Sequence, residues 1–312
     1  MAKQALLETW KFLTASELLT VVCLVCAQWQ KTVHSEEMLL FLLKDCREEE
    51  DFKALSLYQR LQNALQTTRY LLHLAKGRMI VWDLRTSAAK TTIRHQSVYV
   101  NSSRYVLLSA CTAMITGGKS SATACLKVDL RDGQVLQLPE LVRGHLWHGV
   151  ARLGKRVYVS GGSFMPDTSK YAEKFEDGRW TEIADMTTAR YNHTLCPYLQ
   201  RIYAFGGSNS NYLDSIEYYD SVVWTLAPMA LPSPSNYCSV VAVPAGLLLV
   251  AGFSPSTEPR LIYLWREEMQ QWRELGPIAT LYSLSNALAL QRGVLYIFDC
   301  KPSQGSFALT LP

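Results

Sequence analysis

A sequence repeat with a period near 45 residues constrains this chain more than any other feature. The stretch "MITGG" ends at Gly118, "VYVSGG" at Gly162, "IYAFGG" at Gly207 and "LLLVAG" at Gly252, giving intervals of 44, 45 and 45 residues. A fifth copy, "LYIFDC", ends at Cys300 after 48 residues and lacks the glycines. Tryptophans follow at Trp180, Trp224 and Trp272, lying 18, 17 and 20 residues past the second glycine, and Val135 stands at that place in the first copy. Between these marks, short runs of β-branched and aromatic residues alternate with Gly, Asn, Asp, Ser and Pro, the pattern of short strands joined by turns. Four short strands in a unit of this length predict a β-propeller, in which each blade covers the apolar flank of the next. The glycines are expected after strand b, where the backbone turns in a crowded channel wall and a Cβ would clash. The tryptophan is expected at the end of strand c, packed between neighbouring blades. Five copies plus about three further strands in residues 69–94 favour six blades over five.

The first 65 residues keep a different rhythm. Leu6, Trp10 and Leu13 recur at helical spacing with Leu7 and Phe12 alongside, and Leu18, Leu19, Val22, Val25, Cys26 and Trp29 follow a cap at Thr14 or Ser16. A third segment, "SEEMLLFLLKDC" (35–46), opens on a serine cap with two acids in its first turn. The run "REEED" (47–51) reads as a solvated helix end or linker, leading into "FKALSLYQRLQNALQ" (52–66). The organisation expected is a small all-α domain over 1–50, a helical linker over 51–68 and an all-β propeller over 69–312.

Composition excludes several classes. With 31 basic and 27 acidic residues the net charge is only +4, too mild to argue for nucleic acid. The apolar run at 18–26 is shorter than the ~20 residues of a membrane span, and neither a basic start nor a small-residue cleavage site precedes it. A cytoplasmic chain, possibly nuclear as well, with no membrane partner, is the expectation. The eight cysteines are scattered through apolar runs, which suits reduced, buried thiols. Cys23 and Cys26 form a C-x-x-C, but inside an apolar helical pattern with no second ligand pair. His145 and His148 stand three apart, a spacing that predicts no metal pair. No nucleophile elbow, P-loop or zincin motif is present, so neither catalysis, a metal nor a cofactor is expected.

The repeat half resembles the kelch-repeat family. The carrying residues are "EYYDSVVW" (217–224), "KFEDGRW" (174–180), "IYLWREEMQQW" (262–272) with an insertion, and "KVDLRDGQV" (127–135) without the tryptophan. The resemblance covers roughly residues 95–300, and "MIVWDLRTSAAKTTIRH" (79–95) reads as part of a degenerate first blade. The helical half resembles an F-box through "LLETWKFLTASELLTVVCLVCAQW" (6–29) and "HSEEMLLFLL" (34–43), with "MAKQA" where the family carries Leu-Pro. A BACK-type helical domain is the competing resemblance, and a helical cap packed on the propeller is the plain structural alternative.

These resemblances imply a function. An F-box would dock on a Skp-type adaptor and its cullin scaffold through Leu6, Leu7, Trp10, Phe12, Leu13, Leu18, Leu19, Val22, Val25, Cys26 and Trp29. The propeller would present a protein target, making the chain a non-catalytic substrate-recognition subunit of an SCF-type ubiquitin ligase. A kelch scaffold without ubiquitin function is the alternative. The loops expected to bind substrate are the b–c loops and the d–a links, which share a face. They carry Arg143, His145, Arg190, Tyr191, Asn192, Asn209, Asn211, Tyr212, Asn236, Tyr237 and Tyr282, residue types that anchor peptides by charge, stacking and hydrogen bonds. Arg143 and Arg190 are the expected partners of carboxylates. The competing reading makes Arg190 and His193 turn residues that satisfy backbone carbonyls.

Overall fold

Alternating apolar residues separated by turn chemistry give strands throughout the part of the chain that the structure describes. It is a computed structural model that describes residues 70–75, 78–83, 88–93, 102–109, 111–119, 121–164, 167–243, 246–252, 261–277, 287–291, 294–298 and 306–310. The helices expected in the first 66 residues, the adaptor-docking residues among them, lie outside the described residues. No helix of the described residues is long and apolar enough to cross a membrane.

The strands form successive antiparallel meanders. The first sheet has three strands, β1 (Tyr70–Ala75), β2 (Arg78–Asp83) and β3 (Ala88–Ile93). The second contains β4 (Arg104–Ser109), β5 (Thr112–Thr116), β6 (Cys125–Asp129) and β7 (Val135–Gln137). The third contains β8 (Gly149–Leu153), β9 (Arg156–Ser160), β12 (Ala172–Glu176) and β13 (Arg179–Ile183), with a small hairpin, β10 (Ser163–Phe164) and β11 (Asp167–Thr168), in its b–c loop. The fourth is β14 (Thr194–Tyr198), β15 (Arg201–Phe205), β16 (Ser215–Tyr219) and β17 (Trp224–Ala230). The fifth is β18 (Ser239–Val243), β19 (Gly246–Val250), β20 (Leu261–Arg266) and β21 (Gln271–Pro277), and the sixth has three strands, β22 (Ala287–Gln291), β23 (Val294–Phe298) and β24 (Ser306–Thr310). The first strands of consecutive sheets pack on one another, β4 on β8, β8 on β14, β14 on β18 and β18 on β22. That is the blade order of a β-propeller, with strand a innermost and strand d outermost.

The apolar faces pair between blades, as the repeat requires. Trp180 packs with Met114, Cys125, Leu141, Val157 and Val159, residues drawn from the second and third sheets and the link joining them. Trp224 does the same among Ala151, Tyr158, Met186 and Ile202, from the third and fourth sheets and their link. Their exposures are 6% and 5%, so each takes roughly 200 Å² out of water, worth up to ~5 kcal/mol. One expectation is corrected here. These tryptophans stand at the start of strand d, not at the end of strand c. The c–d hairpin is tight enough that the indole faces the strand-c residue across from it, Phe175 for Trp180 and Tyr219 for Trp224.

The glycines behave as the crowding argument expects. Gly206 has φ +57°, and a Cβ on it would lie 2.5 Å from the carbonyl oxygen of Ser235, backbone that cannot swing aside. Gly154, in an open a–b turn, has φ +62° and nothing within 4 Å of the same added atom. Gly206→Ala is therefore expected to lower unfolding free energy by about 3 kcal/mol or more, and Gly154→Ala by only about 1 kcal/mol, the cost of the left-handed backbone alone. Urea unfolding of the two variants checks this, and equal losses would contradict the crowding account.

Candidate protein-interaction face

The links that carry the chain from strand d of one sheet to strand a of the next show how binding residues are positioned. Each link bridges two sheets through one residue. The carbonyls of His145, Arg190 and Ser235 accept from the second glycine of the preceding sheet, Gly118 at 3.1 Å, Gly162 at 2.8 Å and Gly207 at 2.8 Å. Their side chains reach the glycines after strand b of the following sheet, the first of the pair for His145 and Arg190 and the second position for Ser235. His145 Nδ1 lies 2.7 Å from the Gly161 oxygen, Arg190 Nη1 donates to the Gly206 oxygen at 2.7 Å, and Ser235 Oγ accepts from Gly252 N at 2.8 Å. The link residue is thus a clip between blades.

In the third and fourth sheets a buried carboxylate completes the clip. Arg190 Nη2 donates to Glu217 Oε1 at 2.5 Å, and both side chains are fully buried. Glu217 also accepts from Thr187 N at 2.6 Å, Thr187 Oγ1 at 2.7 Å and Thr188 N at 3.0 Å. Glu173 is its counterpart, accepting from Val142 N at 2.8 Å and Arg143 N at 2.7 Å, with His145 Nε2 at 3.1 Å. Burial pushes the Glu217 carboxyl up, but the Arg190 charge and the bonds from Thr187 and Arg190 outweigh it and hold the group below the usual carboxylate range.

This geometry corrects the expected site. Arg190 and His145 are scaffold, buried to 0% and 1% exposure with their polar atoms turned inward, and cannot reach a partner from there. Arg143, expected like Arg190 to partner a carboxylate through its side chain, instead takes the place of Thr188, since its amide bonds the carboxylate. Its side chain is 46% exposed, pairs with Glu182 and stacks 4.2 Å over the Tyr171 ring.

Two residues past each clip stands a residue of a different kind. Trp147, Asn192 and Tyr237, 45 residues apart, have φ of 53°, 51° and 58°. Trp147 N donates to Ser102 O at 3.0 Å, Asn192 N to Trp147 O at 2.7 Å and Tyr237 N to Asn192 O at 3.0 Å. These bonds run from link to link along the inner strands. Of the remaining expected residues, Tyr191 is antiparallel-bridged to Ser208, and Ser208 in turn to Tyr212. The Tyr191 ring lies 6.5 Å from that of Trp147. This joins the d–a link to the b–c loop on one face, as expected. Asn209 caps its own loop, accepting from Ser210 N at 2.7 Å and Asn211 N at 3.3 Å, and Asn209 and Asn211 are exposed. Asn236 is buried, and Tyr282 lies outside the described residues.

Sequence reasoning missed Trp147 and Arg104. Arg104 Nη2 donates to Asn192 Oδ1 at 3.1 Å, reaching from the second sheet to the link before the fourth. Both carried a signal. Trp147 falls on the 45-residue period counted from Asn192, and Arg104 is an arginine where the other copies place Gly149, Thr194 and Ser239. Among the described residues no group of three or more His, Cys, Asp or Glu is placed to hold a metal ion.

Comparison with known proteins agrees with this architecture. A family model described as "Kelch motif" matches residues 189–228, from the link before the fourth sheet into its strand d. Alpha-scruin of Limulus polyphemus is 24% identical over 187 residues, which is 53% of this chain and 20% of that protein, so the chain spans about a fifth of the curated relative's length. Among solved structures, that of YjhT matches with a TM-score of 0.54 at 16% identity, covering 63% of this chain and 71% of the other, a likeness of fold alone. The described region is an all-β propeller, with one Kelch motif matched in the link before its fourth sheet and in that sheet.

The clip and the neighbouring histidines set two expectations. Arg190→Met strands a buried carboxylate and is expected to cost about 3–5 kcal/mol, while pairing it with Glu217→Leu recovers part of that loss. A double-mutant cycle by urea unfolding measures it, and additive losses would mean the pair is uncoupled. His148 and His193 are buried, with Nε2 at 2.8 Å from Thr116 Oγ1 and 3.1 Å from Ser160 Oγ. Burial first, then nearby charges (His145 for His148, Arg190 for His193), push both well below the ordinary value of 6.5. The folded state keeps them neutral while the unfolded chain takes up protons, so their contribution is intact above pH ~6.5 and is lost as pH falls below it. Each histidine adds a slope of up to about 1.4 kcal/mol per pH unit. Unfolding free energies at pH 7.5, 6.5 and 5.5 are expected to show a shallower acid loss for His193→Gln than for the native chain.

Proposed function

We propose that the chain is a protein-recognition subunit that grips its target at the mouth of the propeller channel. The observation that carries this is the conformation of Trp147, Asn192 and Tyr237. Asparagine tolerates a positive φ, but tryptophan and tyrosine pay for it, on the order of 1 kcal/mol or more each. Glycine would hold the same backbone turn without that cost. Large aromatic side chains kept at such positions, half-buried on the face of the links and b–c loops, suit a contact surface.

The finer reading assigns this recognition to an SCF-type ubiquitin ligase. The segment 6–29 supplies the apolar stripe of an F-box, the propeller forms a six-bladed ring, and the target is held near the ubiquitin-charged enzyme without chemistry of the chain's own. A cytoplasmic or nuclear setting follows from that role. The similarity to alpha-scruin favours a second reading, a kelch scaffold in which the helical segment has no adaptor to bind.

A pull-down with the full chain separates them. The native chain is expected to retain the Skp-type adaptor, Leu18→Asp and Trp29→Ala to lose it, and Trp147→Ala with Tyr237→Ala to keep the adaptor while losing co-purifying targets. Adaptor binding that is absent, or unchanged in Leu18→Asp, would overturn the ligase reading and leave the scaffold.

A further inference from the structure

Four aromatic side chains gather on the interaction face around the buried amide of Asn192. Trp147 and Tyr191 come from adjacent links, and their half-buried rings stand 6.5 Å apart at 54° to one another. Tyr191 is bridged to Ser208, which is bridged in turn to Tyr212 of the b–c loop. Tyr237 belongs to the third link, where its backbone amide donates to Asn192 O at 3.0 Å. Burial pushes its phenol up, and the Tyr191 and Tyr212 phenols lie near enough to add to that push. Three links and one loop thus contribute to one aromatic cluster, and none of the four rings carries a charge.

The polar atoms of this cluster are donors. Asn192 Oδ1 accepts from Arg104 Nη2 at 3.1 Å, which assigns the other end of the amide as its NH2. A hydrogen bond from the Asn192 side chain lowers the pKa of the Tyr237 phenol, so the amide donates and the phenol oxygen accepts. Tyr237 therefore keeps its own O–H to give to a guest. The Trp147 indole N–H and the Tyr191 hydroxyl make no hydrogen bond among the described residues, and both can donate. A matching guest has apolar bulk for the rings and carbonyl oxygens for the donors, with few N–H groups of its own to satisfy. A proline-rich backbone in the polyproline II form has that chemistry. Its carbonyls are free of internal bonds, proline brings no N–H, and pyrrolidine rings seat on aromatic ones. A β-strand guest needs a free backbone edge, and the amides of Trp147, Asn192 and Tyr237 are already bonded from link to link. An amphipathic helix spends its carbonyls on its own amides and leaves these donors without partners.

We infer that the aromatic cluster at the channel mouth binds a proline-rich segment of a partner protein in the polyproline II form, with prolines on Trp147 and Tyr191 and a backbone carbonyl on the Tyr237 hydroxyl. This deepens the reading of the face as the interaction surface and rests on it. The test selects binders to the full chain from a display library of random 12-residue peptides. Enriched peptides are then synthesised and their affinities measured by fluorescence anisotropy.

The enriched peptides are expected to share prolines at a spacing of about three residues, one turn of the polyproline II helix. Replacing a shared proline by leucine keeps the apolar bulk but frees the backbone, and should weaken binding about tenfold or more. Trp147→Ala should cost as much, while Tyr237→Phe, which removes only the hydroxyl, should cost about fivefold. Thermal melting shows whether the variants are folded, and Tyr237→Phe, which preserves the ring, tests the inference if Trp147→Ala is not. Peptides that depend on Trp147 and Tyr237 but share no proline, accept leucine in its place, or bind Tyr237→Phe within twofold of the native chain, overturn this inference and leave the interaction face standing. Peptides indifferent to Trp147→Ala and Tyr237→Ala, or no enrichment at all, overturn the face itself and this site with it.

Discussion

The structure depends on one buried polar contact made repeatedly, the clip by which a link residue holds two blades at once. A propeller has no continuous core. It has a series of apolar faces, one between each pair of sheets, and non-directional apolar contact would allow neighbouring blades to slide. The clip supplies the direction. The carbonyl of Arg190 is tied to Gly162 behind it and its guanidinium to Gly206 and Glu217 ahead, so the backbones of two sheets are fixed through one side chain. Because the bonds fall on backbone groups that strand pairing leaves unused, they also solve the satisfaction problem of the turn. The glycines follow from the same contact. A Cβ on Gly161 would stand 2.4 Å from the Arg190 oxygen, so the residue that receives the clip has to lack one.

Much of the fold was legible because the repeat is a covalent consequence of this geometry. The pairs ending at Gly118, Gly162 and Gly207 keep their spacing since each marks the same exit from strand b, and Trp180 and Trp224 keep theirs since each fills the same gap between sheets. What was misread about the tryptophans, one strand's difference in position, reflects the short c–d hairpin. Sequence spacing cannot tell the last residue of one strand from the first of the next when a turn of only a few residues separates them.

The site was less legible for a physical reason that Arg143 and Arg190 make plain. Both are arginines in a polar link between strands, two residues apart in the repeat frame. One is fully buried on a carboxylate and the other lies out on Tyr171. Residue type does not separate them, because a buried cation with a full set of partners and an exposed one look alike as letters. The separating signal is the partner, Glu217 in "IEYYD" and Glu173 in "AEKFED", which the strand pattern hides among the other strand residues. Arg104 escaped notice for the opposite reason. It opens a strand that otherwise reads as scaffold, and only its departure from Gly149, Thr194 and Ser239 at the same repeat position marks it.

Scaffold and recognition surface are therefore interleaved residue by residue within each link. In one link His145 clips and His148 locks against Thr116, with Trp147 between them; in the next Arg190 clips and His193 locks against Ser160, with Asn192 between them; in the third Ser235 clips and Cys238 donates to the Phe205 carbonyl, with Tyr237 between them. The two outer positions are tied to neighbouring sheets, and their identity is limited to side chains that can make those bonds. The position between them is held by its own amide, and at Trp147 and Asn192 by its carbonyl as well, bonds that reach the adjacent links whatever the side chain is. A backbone ring that positions its members without using their side chains leaves those side chains open to change. Tryptophan, asparagine and tyrosine can thus occupy equivalent places around one channel, each bearing the strain of a left-handed backbone, while the blades beneath them remain the same.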